Sequence, residues 1–326
     1  MITPEPCTVE AVSSPGVVGL FARPTTRGPH PALIAFGGSA GGLGPSASWA
    51  PALAQYGYAV LAIAYFGAPG LPPDLDRIDV EVVARAASWL RAQSDISSSQ
   101  LAVMGVSRGS ELAFLAGVHL DEIGPVIALA PSGVSWFALG THGPLNSPSW
   151  IVDGEPVLYP WPASGVTPPA VDGPVALRPM FEELLLDRPA IRNAEIPIER
   201  GRGPILMVSG EDDQMWPATT FAELVLQRLA RVGASVRFQH LHYADAGHAF
   251  MSPPGTDIPL HVSAHPLTGG SYAFGGTPIG NAAAQADCWP RIVNFLDEHF
   301  ASDGGLPRST AASGQRDGSA TKLAGS

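Results

Sequence analysis

The sequence has almost no lysine: Lys322, close to the C-terminus, is the only one among 326 residues. The rest of the chain therefore offers no amine for a Schiff base or a pyridoxal cofactor, and no lysine for a phosphate-binding P-loop. The formal net charge is -11, and no basic stripe is present to neutralise phosphates, so we expect no nucleic-acid partner. Scarce lysine beside abundant alanine, glycine, proline and arginine favours a GC-rich bacterial genome.

Cysteine and long apolar runs are also scarce. Cys7 and Cys288 form no CxxC pair, and we expect free thiols in a reducing cytoplasm. The first ten residues lack a basic region followed by an apolar core, which predicts no signal peptide. The longest apolar run, Tyr58 to Phe66, is too short to span a bilayer. Together these features predict a soluble, cytoplasmic protein, and no pattern predicts a metal or an organic cofactor.

Short apolar runs alternate with amphipathic segments along most of the chain. The runs predict strands at 17–21, 32–36, 59–65, 101–104, 126–130, 205–208 and 236–241. Helical spacing predicts helices at 49–55, 79–93, 110–118, 179–186, 218–231 and 289–299. Such alternation predicts an α/β fold with a mostly parallel central sheet, helices on both faces, and ligands at the carboxyl ends of the strands.

We expect residues 1–301 to form a single domain. Within it, residues 131–202 show little periodicity beyond the one predicted helix and are rich in Gly, Pro, Ser and Trp. A long irregular segment inside a compact domain is commonly a lid or a substrate-facing insertion, with a surface excursion as the alternative. Its tryptophans, Trp136 among them, hint at a hydrophobic or aromatic substrate. The low-complexity residues 302–326 are predicted to be a disordered tail.

The segment GVSRG at 105–109 joins a predicted buried strand to a predicted helix. A serine flanked by glycines on such a turn is typical of a nucleophile elbow, in which the hydroxyl of Ser107 projects above the edge of the sheet. The start of the next helix would offer backbone N–H groups and a positive dipole end to a developing oxyanion. An ordinary tight turn is the alternative.

The other two members of a catalytic triad can be placed by chain order. Asp212 and Asp213 follow the strand at 205–208, where a carboxylate could orient an imidazole. We favour Asp213, three residues past a glycine, and keep Asp212 as the alternative. His248, beside a glycine after the last strand, is the predicted general base. The order Ser107, Asp213, His248 is the one expected of an α/β-hydrolase.

Two backbone N–H groups are needed for an oxyanion hole. One is predicted at Arg108, directly after the nucleophile, and the other at Gly38 in the glycine-rich loop at 37–42, with Ser39 as its neighbour. That loop lacks GxGxxG and a Walker lysine, which disfavours phosphate binding. Predicted substrate contacts are Ser39, Trp216, Trp136 and His265. His240 and His242 share one strand face but have no third ligand nearby, so we predict no metal site.

With these residues assembled, the chain resembles the C-terminal catalytic domain of acyl-CoA thioesterases and of bile-acid-CoA:amino acid N-acyltransferase, a family of the α/β-hydrolase superfamily that is similar to dienelactone hydrolases. The similarity spans about residues 31–300. It depends on AFGGSAGG at 35–42, YAVLAIAYF at 58–66, GVSRGSEL at 105–112, GEDDQMW at 210–216, GH at 247–248 and DCW at 287–289.

The resemblance implies a Ser/Asp/His triad and an acyl-enzyme formed from a thioester of coenzyme A or of an acyl carrier protein. A serine in place of the N-acyltransferase's cysteine favours release to water. Animal members carry a separate β-domain ahead of this region, where only about thirty residues precede Pro31 here, and the segment 131–202 has its own composition. An ester or lactone hydrolase, an acyltransferase to an alcohol or amine, and a non-catalytic binding protein are the alternatives.

Overall fold

The computed structural model describes residues 6–97, 100–167, 172–256, 262–265 and 268–300, within which short strands alternate with helices. The strands are β1 Cys7–Ser14, β2 Val17–Pro24, β3 Ala32–Phe36, β4 Ala59–Ala64, β5 Ile78–Asp79, β6 Leu101–Val106, β7 Ile123–Leu129, β8 Phe137–Gly140, β9 Gly143–Pro148, β10 Trp150–Val152, β11 Glu155–Pro156, β12 Ile205–Gly210, β13 Phe238–Tyr243, β14 Val262–Ala264 and β15 Ser271–Ala273. The helices are α1 Ser46–Ala54, α2 Glu81–Arg91, α3 Arg108–His119, α4 Arg178–Leu184, α5 Arg188–Ala194, α6 Ala218–Val232 and α7 Pro278–Phe300, with a 3-10 turn at Ile198–Arg200.

Eight of these strands form the central sheet, in the order β1-β2-β4-β3-β6-β7-β12-β13. Strand β2 runs antiparallel to both of its neighbours, and the pairs from β4 to β13 are parallel. The inner strands β3, β4, β6, β7 and β12 are buried along their whole length. Strands covered on both faces are expected to be continuous apolar runs, which is how they were recognised in the sequence. The prediction of an α/β fold with a mostly parallel sheet is confirmed.

Alternate side chains of the sheet pack into two cores. On one face, Leu33 and Met104 contribute to a core with α1 and α7. On the other face, Ile34 and Val103 contribute to a core with α2 and α3. Because successive side chains of a strand point to opposite faces, each inner strand supplies both cores. This two-sided packing holds the carboxyl ends of the strands, and the loops that follow them, in fixed relative positions.

Residues 131–202 contain more regular structure than the sequence predicted. Strands β8 and β9 form an antiparallel hairpin, and β10 pairs with both β5 and β11. Helices α4 and α5 follow. The strands are short and interrupted by glycine and proline, so they leave no periodic signal in the sequence. We call residues 131–202 the insertion from here on.

The ends of several other elements also differ from prediction. Strand β1 was not predicted, and α7 begins at Pro278, eleven residues before the predicted start. The proline inside α7, Pro290, obscured its first part because proline usually marks a helix start or break. The predicted tail at 302–326 lies outside the described residues. Within the described part of the chain, no helix is both long and apolar enough to cross a membrane.

Candidate active site

Loops after four strands of the sheet bring the predicted site residues to one edge. Gly38 follows β3, Ser107 follows β6, Asp213 follows β12 and His248 follows β13. These strands are parallel to one another, so their carboxyl ends meet on the same side of the sheet. The crevice at this edge is where α/β sheets bind ligands.

Ser107 has a strained backbone at the turn between β6 and α3. Its φ is 56° and its ψ is -124°, a left-handed conformation that residues with a side chain rarely adopt. Its N–H donates to Leu129 on the neighbouring strand, at 2.9 Å. The turn needs Gly105, because a Cβ there would lie only 2.1 Å from the carbonyl oxygen of Gly109. Strain of this kind persists only where the surroundings impose it, and it is concentrated at functional sites.

A carboxylate orients the imidazole of His248. Nδ1 of His248 lies 2.7 Å from Oδ2 of Asp213, and both side chains are buried. The other oxygen of Asp213 accepts the backbone N–H groups of Met215 and Trp216, at 2.9 and 3.1 Å. With its carboxylate fixed in this way, Asp213 fixes the orientation of the imidazole, and Nε2 is the ring nitrogen that Asp213 does not contact.

Asp212, the alternative acid, has different partners. Its Oδ1 accepts the side-chain amide of Gln214 at 2.7 Å, and its Oδ2 accepts the N–H of Gly276 at 2.9 Å. These bonds join the loop after β12 to the loop that precedes α7. The structure therefore pairs Asp213 with His248 and gives Asp212 a role in holding the loops together.

The glycine-rich loop after β3 lies against the elbow. A Cβ on Gly38 would lie 3.0 Å from Cβ of Ser107 and 3.6 Å from its Oγ, so a side chain there would crowd Ser107. The backbone of Gly38 and the first residue of α3, Arg108, thus flank Ser107 from two sides.

The side chain of Arg108 is buried beneath the site. Its Nη1 lies 2.8 Å from Oε1 of Glu111 in a close charge contact that is not an aligned hydrogen bond. Its Nη2 donates to the carbonyl oxygens of Trp136 and Phe137, at 3.1 and 2.8 Å, and to the hydroxyl of Ser149. Arg108, the residue after Ser107, is therefore hydrogen-bonded to the insertion through the protein interior.

Glu111 completes this buried network. Its Oε2 accepts the backbone N–H of Trp136 at 3.1 Å and the indole N–H of Trp150 at 2.8 Å. Burial raises the pKa of Glu111 to about 7, while the Arg108 guanidinium and these two hydrogen bonds oppose the rise. Burial also lowers the pKa of Arg108, and Glu111 counteracts that shift. Burial disfavours the charged forms of both Arg108 and Glu111, and each charge is stabilised in the interior by the other.

Two cavities meet at Ser107. The first, which we call the insertion cavity, is mostly apolar and is lined by Phe137, Leu139, Leu177, Met180, Phe181 and Trp216. The second, the loop cavity, is lined by Gly38, Pro45, Trp49, His248, Met251 and Phe274. Ser39, Ser107, Met215 and His265 line both cavities. An apolar cleft with a few convergent polar groups is typical of a small-molecule site.

The predicted substrate contacts fall into two groups. Ser39, Trp216 and His265 line the cavities at Ser107. Trp136 does not, because it is fully buried in the core, packs on Phe181 and Phe221 and donates its indole N–H to Ser132. The insertion supplies aromatic side chains to the cleft, but they are phenylalanines that sequence composition did not single out.

Tyr65, which directly follows β4, was not predicted from the sequence to belong to the site. Its buried hydroxyl donates to the carbonyl oxygens of Gly37 and Gly38, at 2.9 and 3.2 Å. In the sequence it was the last residue of an apolar run, with nothing to mark it as polar in function. Its place at the carboxyl end of a strand, beside the strand that carries the glycine-rich loop, was the available signal.

The histidine pair on β13 lies outside the two cavities. Nε2 of His240 lies 2.9 Å from the hydroxyl of Ser209, His242 pairs with Glu211, and the two imidazole centres are 5.4 Å apart. Burial lowers the pKa of His240 to about 4; the neighbouring His242 adds to this shift and Glu211 opposes it. His240 is therefore held neutral in the folded protein.

Replacing His240 with glutamine is expected to flatten the dependence of stability on pH. An unfolded histidine titrates near pH 6.5, whereas folded His240 titrates at about 4. Between these values the unfolded chain binds the extra proton, so the free energy of unfolding falls as the pH is lowered. Urea unfolding from pH 7 to 4.5 measures the slope, with the exposed His142→Gln as control. If the free energy of unfolding depends on pH in the same way for wild type and His240→Gln, the lowered pKa of His240 is contradicted.

Residues 78–302 match the family model described as BAAT / acyl-CoA thioester hydrolase C terminal. The chain belongs to this family. The resemblance noted in the sequence is thereby confirmed.

Two relatives illustrate the similarity across the chain. The chain is 29% identical over 296 residues to the acyl-coenzyme A amino acid N-acyltransferase 1 of Mus musculus, which covers 90% of this chain and 66% of the relative. It is 28% identical over 291 residues to the acyl-coenzyme A thioesterase 6 of Homo sapiens, which covers 89% of this chain and 65% of the relative. The chain thus spans just under two thirds of the length of each relative.

Solved structures agree on the fold. A fungal esterase from Rhizomucor miehei superposes with a TM-score of 0.54 at 15% identity, covering 93% of this chain and 87% of the esterase. A dienelactone hydrolase-like promiscuous phosphotriesterase from metagenomic libraries gives a TM-score of 0.52 at 18% identity, covering 90% and 98% of the two chains. At these identities the likeness concerns the fold alone.

Proposed function

We infer that this protein is a serine acyl hydrolase that acts on acyl thioesters through an acyl-enzyme on Ser107. One observation carries the inference: the buried His248–Asp213 hydrogen bond of 2.7 Å lies at the cavity that holds Ser107 on its strained turn. Membership of a family named for acyl-CoA thioester hydrolysis supports the thioester as substrate.

In the proposed reaction, Oγ of Ser107 attacks the acyl carbonyl while Nε2 of His248 takes the serine proton. The charged imidazole is stabilised by Asp213. The C–S bond then breaks, and His248 returns the proton to the departing sulfur. A water molecule, deprotonated by His248, attacks the acyl-enzyme, and the proton passes back to Ser107 as the acid leaves. Backbone N–H groups of Gly38 and Arg108 would stabilise both tetrahedral oxyanions.

The acyl chain and the leaving thiol of the substrate are assigned to different cavities. The insertion cavity suits the acyl chain, because its walls are leucine, methionine and phenylalanine. The loop cavity, on the His248 side, suits the leaving thiol of coenzyme A or of an acyl carrier protein, since His248 must protonate the sulfur. An acyl group seated against Phe181 would place its carbonyl at the junction beside Ser107.

The test is a panel of acyl-CoA thioesters of increasing chain length, each compared with an oxygen ester of the same acyl group. Wild type and Ser107→Ala are assayed together for release of thiol or alcohol. We expect thioester turnover that Ser107→Ala abolishes. Turnover of oxygen esters alone would make the protein a carboxylic-ester or lactone hydrolase. Acyl-enzyme formation that is released only by an added alcohol or amine would make it an acyltransferase, and turnover retained by Ser107→Ala would refute the proposal.

Tyr65 is expected to position the N–H groups of the glycine-rich loop. A trans peptide directs its C=O and N–H to opposite sides. When Tyr65 holds the carbonyl of Gly37, the N–H of Gly38 in the same peptide plane is turned away from Tyr65. Loss of the tyrosine hydroxyl would free this peptide to rotate.

Replacing Tyr65 with phenylalanine should therefore lower kcat about 10-fold and leave KM nearly unchanged, as expected for about 1.4 kcal/mol lost only in the transition state. Steady-state kinetics on the best thioester measures the effect. Tyr159→Phe is the matched control, because that hydroxyl bonds the exposed Asn146 at 3.0 Å. A rise in KM at constant kcat would show that Tyr65 acts on substrate binding.

A further inference from the structure

A second serine–histidine pair lies at the junction of the two cavities. Oγ of Ser39 is 3.0 Å from Nε2 of His265, although the two residues are 226 positions apart in the chain. Both side chains line both cavities together with Ser107. Ser39 directly follows Gly38, the loop residue that lies against the nucleophile. The pair therefore borders the position where the carbonyl of a substrate must lie.

The backbone determines which nitrogen of His265 carries the proton. The N–H of Thr268 donates to Nδ1 of His265 at 3.4 Å, so Nδ1 is the acceptor and Nε2 bears the hydrogen. Burial lowers the pKa of His265 to about 4, and the nearby His248 adds to this effect, which keeps the ring neutral near neutral pH. His265 therefore donates to the hydroxyl oxygen of Ser39.

This direction of the bond makes Ser39 a donor toward the cleft. A serine hydroxyl has one proton and two lone pairs. One lone pair receives the proton of His265, and among the described residues no other hydrogen bond of the Ser39 side chain is formed. The hydroxyl proton of Ser39 thus remains to be given to a group in the cavities.

We propose that Ser39 is a side-chain donor of the oxyanion hole, oriented by His265, which stabilises the negative oxygen formed when Ser107 attacks the substrate. The inference rests on the proposed acyl hydrolase function and adds a third donor to the two backbone N–H groups. Ser39 forms no covalent bond and loses no proton; its O–H donates a hydrogen bond to the negative oxygen and so lowers the energy of the transition state. Ser39 is not a second nucleophile, because the protonated Nε2 of His265 cannot accept its proton.

The first test compares Ser39→Ala with wild type by steady-state kinetics on the best thioester of the panel. Losing one oxyanion donor should lower kcat by about 100-fold with KM changed by less than about 3-fold. Ser39→Thr keeps the hydroxyl and should recover most of the activity. Ser13→Ala is the control for loss of a serine hydroxyl, since Ser13 is exposed on β1 and lines neither cavity, and it should leave kcat unchanged.

The second test uses an alkyl trifluoromethyl ketone, which adds to the nucleophilic serine and forms a stable oxyanion there. Its affinity should fall in Ser39→Ala by about the same factor as kcat, because the ketone imitates the transition state. In the wild-type background, His265→Ala should lower both kcat and the affinity for the ketone. In the Ser39→Ala background it should lower neither, since the two residues act as one unit. A role confined to folding would not produce this pattern.

The inference is overturned by a kcat within 3-fold of wild type in Ser39→Ala, or by a change in KM alone, while Ser107 still reacts fully with a fluorophosphonate. Independent losses in Ser39→Ala and His265→Ala, which multiply in the double variant, would overturn the role given to His265. If the wild type turns over neither ester class, the proposed function fails, and this inference fails with it. If the wild type turns over thioesters normally and Ser39→Ala is unaffected, the role of Ser39 as a third oxyanion donor is refuted and the proposed function stands.

Discussion

Replacement of Asp213 with asparagine is expected to lower kcat/KM by about 10⁴-fold. The amide of asparagine can donate a hydrogen bond to Nδ1 of His248, which would leave Nε2 protonated and unable to take the proton of Ser107. The backbone N–H groups of Met215 and Trp216 can still bond the amide oxygen, so the loop should keep its shape. Initial rates on the best thioester measure the loss, and circular dichroism checks the fold.

Asp212→Asn is the matched control for this experiment. Asp212 is the adjacent residue of the same type, but it bonds Gln214 and Gly276 instead of His248. Its replacement removes a charge from the loop without changing the imidazole, so we expect a fall in kcat/KM below about 10-fold, the size of one modest hydrogen bond. The opposite order, with Asp212→Asn the more damaging variant, would assign the acid to Asp212.

Replacement of Glu111 with alanine is expected to cost about 3–5 kcal/mol in the free energy of unfolding, because Arg108 would be left buried without its counter-charge. The loss should include the two hydrogen bonds that Glu111 accepts from Trp136 and Trp150. Urea unfolding at pH 8, above the pKa of about 7 for Glu111, measures the change with the carboxylate ionised. Glu111→Gln keeps the volume and one acceptor, and its loss should be smaller.

An exposed pair on α2 provides the control for Glu111. Glu81 lies 3.2 Å from Arg85, one turn along the helix, and both side chains are largely in solvent. Glu81→Ala should change the free energy of unfolding by less than about 1 kcal/mol, because water already solvates both charges. Equal losses in the Glu81 and Glu111 variants would contradict the account of a buried charge pair that fastens the insertion to α3.

The local features of the fold were predictable because they leave local signals. The inner strands are continuous apolar runs, and the glycines around Ser107 mark a turn that other residues could not adopt. The positions of Ser107, Asp213 and His248, each after a predicted strand, were enough to predict that all three reach one edge of the sheet, since parallel strands bring their carboxyl ends together. The sequence favoured Asp213 and kept Asp212 as the alternative. The structure adds that Asp213 contacts His248 whereas Asp212 bonds Gln214 and Gly276, because side chains at adjacent loop positions point in different directions.

The buried network under the site was not predictable in the same way. Glu111 lies in a helix where an acidic residue would ordinarily face solvent, and its partners Trp136 and Trp150 are 25 and 39 positions away. Their pairing is created by the path of the insertion, whose short strands have no periodic pattern. The same holds for Ser39 and His265, which only the folded chain brings together. The parts of the site that the sequence did not predict are therefore those formed by contacts between residues far apart in the chain.

Ser107 is proposed to be an activated nucleophile, and a fluorophosphonate probe reports this property because it reacts with activated serines. Wild type, Ser107→Ala and Asp213→Asn are incubated with the probe and digested, and the labelled peptide is identified by mass spectrometry. We predict one adduct per chain, on Ser107, absent from Ser107→Ala and formed much more slowly in Asp213→Asn. An unlabelled wild-type protein, or an adduct that persists on another residue in Ser107→Ala, would contradict the account.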